Sequence, residues 1–167
     1  MLSDFPDIFS FTRFLAAKKS VDDRALNRQV WDRLAHSLHP ASREFPLQIL
    51  EVGAGIGTMI ERFMEWELVR YACYTAVDNS EENAEVAVRR LETWASERGM
   101  QVLRSAQSLT LQDSNHMFQI SFEIAELHDF LASKSDSQRW DLLVAHAFLD
   151  IVDVPTKIGR ASCRERV

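Results

Sequence analysis

The 167-residue sequence predicts an α/β domain built on a parallel sheet, with helices ahead of the first strand. Three observations carry that prediction. An apolar run, Leu47-Gln48-Ile49-Leu50-Glu51-Val52, leads directly into Gly53, Gly55 and Gly57, which alternate with small or apolar residues. About twenty residues further on, a second apolar run ends in another acid, Asp78, as in nucleotide-binding strand–turn–helix–strand units. Beyond these, helix-period stripes alternate with short strand-like runs. That order implies parallel pairing through right-handed crossovers.

Residues 8–19 carry Ile8, Phe9, Phe11, Phe14 and Leu15 and predict a first helix. Ser20-Val21-Asp22-Asp23 reads as a variant capping box, with Ser20 as N-cap and Asp23 reaching back. The helix it opens places Leu26, Val30, Trp31, Leu34 and Leu38 on one face and stops before Pro40. The first strand is 47–52. A helix from Thr58 to about Val69 follows, its apolar face formed by Met59, Ile60, Phe63, Met64 and Trp66. The second strand is 72–77, with Cys73 placed ahead of it on the far side from the glycines. Ser80-Glu81-Glu82 opens a long helix, whose acids suit its positive end. Its buried stripe is Ala84, Ala87, Val88, Leu91, Trp94 and Ala95, and Gly99 is its expected C′ residue. Val102, Leu103, Leu109 and Leu111 suggest a short added strand or hairpin arm turning at Asp113-Ser114-Asn115. The third strand is Met117–Ile124, then come a short helix at 127–133 and a loop with Ser135, Asp136 and Ser137. The fourth strand is Trp140–Ala145.

The glycine spacing is G-x-G-x-G. In the dinucleotide fingerprint the third glycine falls one residue later, and the loop serves a pyrophosphate at a helix N-terminus. Here Glu51 stands two residues before the first glycine, and a carboxylate suits a cationic group better than a phosphate. Asp78, at the end of the second strand, is placed to accept from ribose hydroxyls. The ligand these residues suggest is a nucleoside.

The segment resembles motifs I and II of class I S-adenosylmethionine-dependent methyltransferases. The resemblance covers residues 47–146 well and the N-terminal helices loosely. It implies a Rossmann-like parallel sheet with S-adenosylmethionine as cofactor. A complete sheet of that family has seven strands, of which about four are legible here. By the same resemblance, Glu51 faces the methionine end of the cofactor, with Gly53, Gly55 and Gly57 forming the loop beside it and Asp78 holding the ribose. Glu126, in Ile124-Ala125-Glu126-Leu127, accepts from the adenine amino group, and Leu127 contacts the base; the family more often has Asp at this place. His146, at the end of the fourth strand, lies at the edge that faces the transferred methyl group. It either lines the cofactor or, with a pKa near neutrality, acts as general base. No other residue stands out as catalytic. The Asn/Asp-Pro-Pro-aromatic motif of many amino-methyltransferases is absent, which disfavours adenine-N6 or glutamine methylation.

Composition narrows the partners. The net charge of −6, with no basic cluster before the extreme C-terminus, argues against nucleic acid and favours a small-molecule acceptor. There is no apolar run of about 18 residues, so no membrane span is expected. The N-terminus begins acidic and lacks a basic segment followed by an apolar one, so a cytoplasmic location is expected. Cys73 and Cys163 lack metal-ligand spacing, and no metal is expected. His36, His39, His116 and His128 are scattered and read as surface or cap residues. Arg24 and Asn27, at the polar start of the second helix, are candidates to close over a ligand.

The last ten residues, Ile158-Gly159-Arg160-Ala161-Ser162-Cys163-Arg164-Glu165-Arg166-Val167, break abruptly with this composition. They match an in-frame translation of a common short-read sequencing adapter, and such segments are excluded from fold reasoning. With three arginines against one glutamate the tail is +2, so the chain without it carries −8. The expected organisation is therefore an N-terminal helical cap at 1–46, a cofactor-binding domain at 47–157 and an artefactual tail at 158–167. The domain would then be a fragment, with strand four, including Leu142, Leu143 and Val144, left on an unprotected edge and stability reduced. Two other functions stay open: a nicotinamide-dependent oxidoreductase, whose G-x-G-x-x-G is missing, and a non-catalytic cofactor-binding subunit.

Overall fold

The computed structural model describes residues 11–105, 108–134 and 138–146; the tail at 158–167 and residues Ile8 and Phe9 lie outside them. Two helices come first, α1 (Phe11–Ala25) and α2 (Arg28–Ser37). Then follow β1 (Leu47–Val52), α3 (Thr58–Glu65), β2 (Tyr71–Asp78), α4 (Glu81–Glu97), β3 (Gln101–Arg104), β4 (Ser108–Gln112), β5 (Met117–Ile124), α5 (Leu127–Ser133) and β6 (Leu142–Val144). No helix among the described residues is long and apolar enough to cross a membrane.

The sheet has six strands in the order β3-β4-β5-β2-β1-β6. β5, β2, β1 and β6 are parallel, whereas β3 and β4 run antiparallel beside β5. The four expected parallel strands are present, and the suggested hairpin arm is there too, adding two antiparallel strands that make the sheet mixed. Leu109 and Leu111 alternate with polar residues and are fully buried, so this arm extends the apolar face of β5. Ser105 and Ser108 close its turn with mutual side-chain and backbone hydrogen bonds. The β4–β5 turn is held by Asp113, which accepts from the amides of Asn115 and His116. Cys73 lies inside β2, not ahead of it, and its thiol donates to Gln119.

Leu47 and Ile49 of β1, Tyr74 of β2, and Phe118 and Ile120 of β5 share one face of the sheet, packed under Ile60 and Phe63 of α3 and Leu91 and Ala95 of α4. The opposite face is covered near its carboxyl edge, where Phe130 of α5 seals Leu50, Val52 and Val77. Ser80 caps α4 by accepting from the Asn83 amide at 3.2 Å, and Gly99 leaves the helix at φ 70°, as a C′ glycine does. The expected stripe of α4 holds at Ala84, Ala87, Leu91 and Ala95, with Val88 and Trp94 half-buried. α3 ends at Glu65 rather than near Val69, because Glu67 takes a positive φ of 50° and turns the chain.

The N-terminal helices differ from expectation. Ser20 is not an N-cap, because α1 runs straight through it, supported by i,i+4 pairs Lys18–Asp22 and Lys19–Asp23. Asn27 performs the capping instead, accepting from the amides of Gln29 and Val30. It starts α2 about two turns later than the capping-box reading and removes Asn27 from any role over a ligand. Arg24 is exposed on α1 and does not reach the site. α2 buries none of its residues fully; Val30 is exposed, and Trp31 packs edge-on against Phe63 and Trp66.

Candidate cofactor cleft

The strand order reverses at β1: the chain moves outward on one side through β2 and β5, then returns to place β6 on the other. Ligands of open α/β sheets bind outside the carboxyl ends of strands at such a switch point. A cleft of about 480 Å³ opens there, inside the range usual for small-molecule sites. It is lined from the ends of all four parallel strands, by Glu51 and the glycine loop after β1, Asp78 after β2, Glu126 after β5 and His146 after β6, with Leu15 and Lys18 of α1 across the opening.

The loop is wound tightly. Gly53, Gly55 and Gly57 all have positive φ, a region where a Cβ is costly. At Gly55 an added Cβ would meet Leu15 of α1 at 3.5 Å, so this glycine admits the close approach of the helix. Gly57 does a different job from the one expected. It does not line the cleft, and a Cβ there would press on Ala87 at 3.3 Å and Leu91 at 3.4 Å of α4. Its place is in helix packing.

The loop's amides are largely committed within the protein. Ala54 N–H donates to the Val77 carbonyl, Gly57 N–H to the Ala54 carbonyl, and Gly55 N–H to Asp78 Oδ2 at 2.8 Å. Asp78 Oδ1 accepts from the Ser80 amide at 3.0 Å and from Asn83 Nδ2 at 2.9 Å. Of the roughly four acceptor positions of a carboxylate, three are filled, leaving one on Oδ2. Asn79, the residue after Asp78, donates to Glu126 Oε1 at 2.9 Å and ties the ends of β2 and β5 together.

Glu51 is buried at 3 % exposure and accepts from the hydroxyl of Tyr74 at 2.8 Å. Burial pushes its carboxyl up to about 8, against the Tyr74 hydrogen bond and the Arg62 charge, while Asp78 adds repulsion. Burial and the neighbouring Glu51 also push the Tyr74 phenol up. Arg62, at 1 % exposure, reaches the cleft from α3 and is held by Asp23 through its Nε, with weaker contacts at 3.5 Å to Thr58 and the Lys19 carbonyl. His146 is half-buried; burial, then Arg62 and Lys18, lower its pKa, opposed by Asp22.

Seven of the eight expected residues therefore gather in one cleft, namely Glu51, Gly53, Gly55, Asp78, Glu126, Leu127 and His146. Sequence reading missed Asn79 and Asn83, which follow the motif acid and orient the carboxylates, and Leu15, Lys18, Asp22 and Arg62. The asparagines' proximity to Asp78 was a usable signal. Arg62 was masked by its place in an amphipathic helix. His36, His39 and His128 are exposed as expected, and His116 closes a turn on Asp113. Among the described residues no group of His, Cys, Asp and Glu is arranged to hold a metal.

No protein-family model matches the sequence, and no characterised protein is significantly similar to it in sequence. Two solved structures are similar to part of the chain. One is the plantazolicin methyltransferase BpumL in complex with SAH, at 16% identity over 68% of this chain and 34% of that chain, with a TM-score of 0.40. The other is BpumL in complex with a triazolic desmethylPZN analog and SAH, at 18% identity over 81% and 35% of the two chains, with a TM-score of 0.36. The chain thus spans about a third of the length of the structures it matches.

Proposed function

We propose that the cleft binds S-adenosylmethionine and that the chain carries the cofactor site of a methyltransferase, its cofactor-binding part being residues 47–157 and its acceptor a small molecule. The observation that carries this reading is the way the glycine loop spends its amides. Three of them, at Ala54, Gly55 and Gly57, are bound to Val77, Asp78 and Ala54 and so are not open to a pyrophosphate. What the cleft offers instead is carboxylates, at Glu51, Asp78 and Glu126, above an apolar lining that includes Val52, Ile56 and Leu127. That set suits a nucleoside with a cationic arm better than a dinucleotide.

The residues fit the group in chemistry. Asp78 keeps one acceptor position for a ribose hydroxyl, held in place by Gly55, Ser80 and Asn83. Glu126, oriented by Asn79, suits an exocyclic amine, and Leu127 offers apolar contact to a base. Glu51 suits an ammonium group, and Arg62 and Lys18 suit a carboxylate. When bound, S-adenosylmethionine supplies an electrophilic methyl group on a sulfonium. The chain's own contribution is alignment and exclusion of water, with Leu15 and Phe14 of α1 lying over the loop. His146, neutral at pH 7 because its pKa is lowered, holds a ring-nitrogen lone pair that can take a proton from an acceptor.

Titration calorimetry of the full chain with S-adenosylhomocysteine and, separately, NADH tests this. Binding of the former and not the latter is expected. Asp78→Ala should weaken it by about 10- to 100-fold, the cost of a hydrogen bond to a charged group. Circular dichroism and urea unfolding of Asp78→Ala, which also loses the bonds to Gly55, Ser80 and Asn83, separate loss of ligand contact from loss of the loop. Binding of NADH instead, or an unchanged affinity in Asp78→Ala, overturns the assignment.

A further inference from the structure

Glu51 is an unusual acid for a cation site, because it is buried and no cation among the described residues is paired with it; Arg62 acts on it only at a distance. It belongs to the sheet face of Leu47 and Ile49, beneath α3, and is closed off from water. The titratable and charged groups that bond to it or share its cleft come from several elements. β2 supplies Tyr74 and Asp78, α3 supplies Arg62, and α1 supplies Lys18 and Asp22 across the cleft, while Glu126 and His146 complete the lining. Of these, Tyr74 makes its hydrogen bond, with a neutral donor. Arg62 turns its guanidinium to Asp23, Thr58 and the Lys19 carbonyl, and no hydrogen bond or ion pair joins it to Glu51 among the described residues. Lys18 is paired with Asp22 at 3.3 Å. A buried carboxylate with no cationic partner is expensive, and the group keeps its proton instead.

We propose that Glu51 and Tyr74 form a proton-exchanging cation site in the floor of the cleft, which takes in the positive group of its ligand by releasing a proton from Glu51 and so selects for cationic ligands. The bond broken is the Glu51 O–H; the proton leaves to bulk buffer, and the carboxylate left behind is balanced by the incoming ammonium or sulfonium. The charge at Glu51 together with the cation it holds is then the same as that of the protonated acid before occupancy. A neutral ligand would leave the proton in place and gain nothing from Glu51. The inference deepens the methyltransferase reading and rests on it for the probe.

The linkage has a definite sign. With Glu51 protonated in the free protein and ionised in the complex, affinity rises with pH, by close to tenfold per unit from about pH 6 to 7.5. The window ends there because Glu51 in the free protein itself begins to ionise as pH approaches 8, and the proton is then already gone before the ligand binds. His146 has its pKa lowered by burial and then by Arg62, so it is neutral in the upper part of this window, and Glu51→Gln, which retains His146, isolates the part due to Glu51.

Two measurements on the full chain decide the matter. Calorimetry with S-adenosylhomocysteine at pH 7, in buffers of different ionisation heat, should count close to one proton released per ligand. Glu51→Gln keeps an acceptor for the Tyr74 hydroxyl and should release none, with affinity flat in pH. Carbon-13 NMR of the glutamate carboxyls, assigned by difference from Glu51→Gln, should show Glu51 protonated at pH 7 in the ligand-free chain. Binding without proton release, or an ionised Glu51 at pH 6 in the free chain, overturns the proposal. A chain that binds no S-adenosylhomocysteine overturns the methyltransferase reading. The Glu51 carbon signal with and without methylammonium, a bare cation, then decides this inference by itself: ionisation on adding the cation supports it, and an unchanged signal sinks it.

Discussion

Three glycines in alternate positions look equivalent in the sequence, yet they do unequal work. Gly53 and Gly55 line the cleft, whereas Gly57 faces α4 and lets α3 and α4 approach each other. Gly57→Ala forces a φ of 75° on a residue with a Cβ and pushes that Cβ against Ala87. We expect a loss of about 1–3 kcal/mol in urea unfolding, with the affinity of the folded protein for S-adenosylhomocysteine unchanged. A stability equal to wild type would show that Gly57 has no packing role. Asp78 was legible as a site residue because of its spacing from the loop. That it also ties the loop to β2, through the Gly55 amide, was not legible, since sequence distance says nothing about which amide ends up beside a carboxylate.

At the scale of elements, α1 is the piece whose role the sequence hid. It is held over the cleft by charge pairs that cross between elements. Asp23 holds the buried Arg62, and Lys19 pairs with Glu65 at 3.3 Å and lies 3.9 Å from Glu61. Burial would raise the Asp23 pKa, but hydrogen bonds from Arg62 and Lys19 outweigh it and hold the carboxyl below its usual value. The stabilisation from Asp23 is therefore present above the ordinary carboxylate range and is lost as pH falls through the lowered value. Asp23→Asn leaves a guanidinium buried without its counter-ion. Removing one partner of a fully buried pair costs about 3–5 kcal/mol, and since Asp23 is itself partly exposed we expect roughly half of that. Denaturant unfolding at pH 7 checks it; a variant as stable as wild type would mean that α1 is held by apolar contact alone. The capping-box pattern at Ser20 misled because Lys18–Asp22 and Lys19–Asp23 support helix across the same residues. Local side-chain pairs and local caps compete, and tertiary pairing with α3 settles which one wins.

For the whole molecule, the sheet is unevenly protected. β2 lies between β1 and β5 from Ala72 to Val77, with Ala72, Tyr74 and Ala76 buried, whereas β6 pairs over three residues and Leu143 is half-exposed. Hydrogen exchange should accordingly be slowest at the amides of β2 and at least about tenfold faster at β6, since edge segments open locally at lower cost. Equal protection in the two strands would contradict this picture. The same unevenness explains why the cleft sits where it does. Between β1 and β6 the crossovers leave in opposite directions, which opens a gap above the glycine loop.

The sequence by itself determined the parallel strands, the glycine loop and the two acids at the ends of β1 and β2. Those features are local: apolar runs of strand length, helix-period stripes, and a turn that requires positive φ. It determined the third acid, Glu126, through resemblance, and the position agrees with the cleft. Only the tertiary structure decided that β3 and β4 join the sheet antiparallel, that α1 lies across the opening with Arg62 and Asp23 beneath it, and that Glu51 is shut away from water with Tyr74 as its partner. The physical reason is the same in each case. Strand pairing, ion pairing between distant elements and the loss of solvent around a carboxylate all depend on which surfaces meet, and no spacing along the chain encodes that directly.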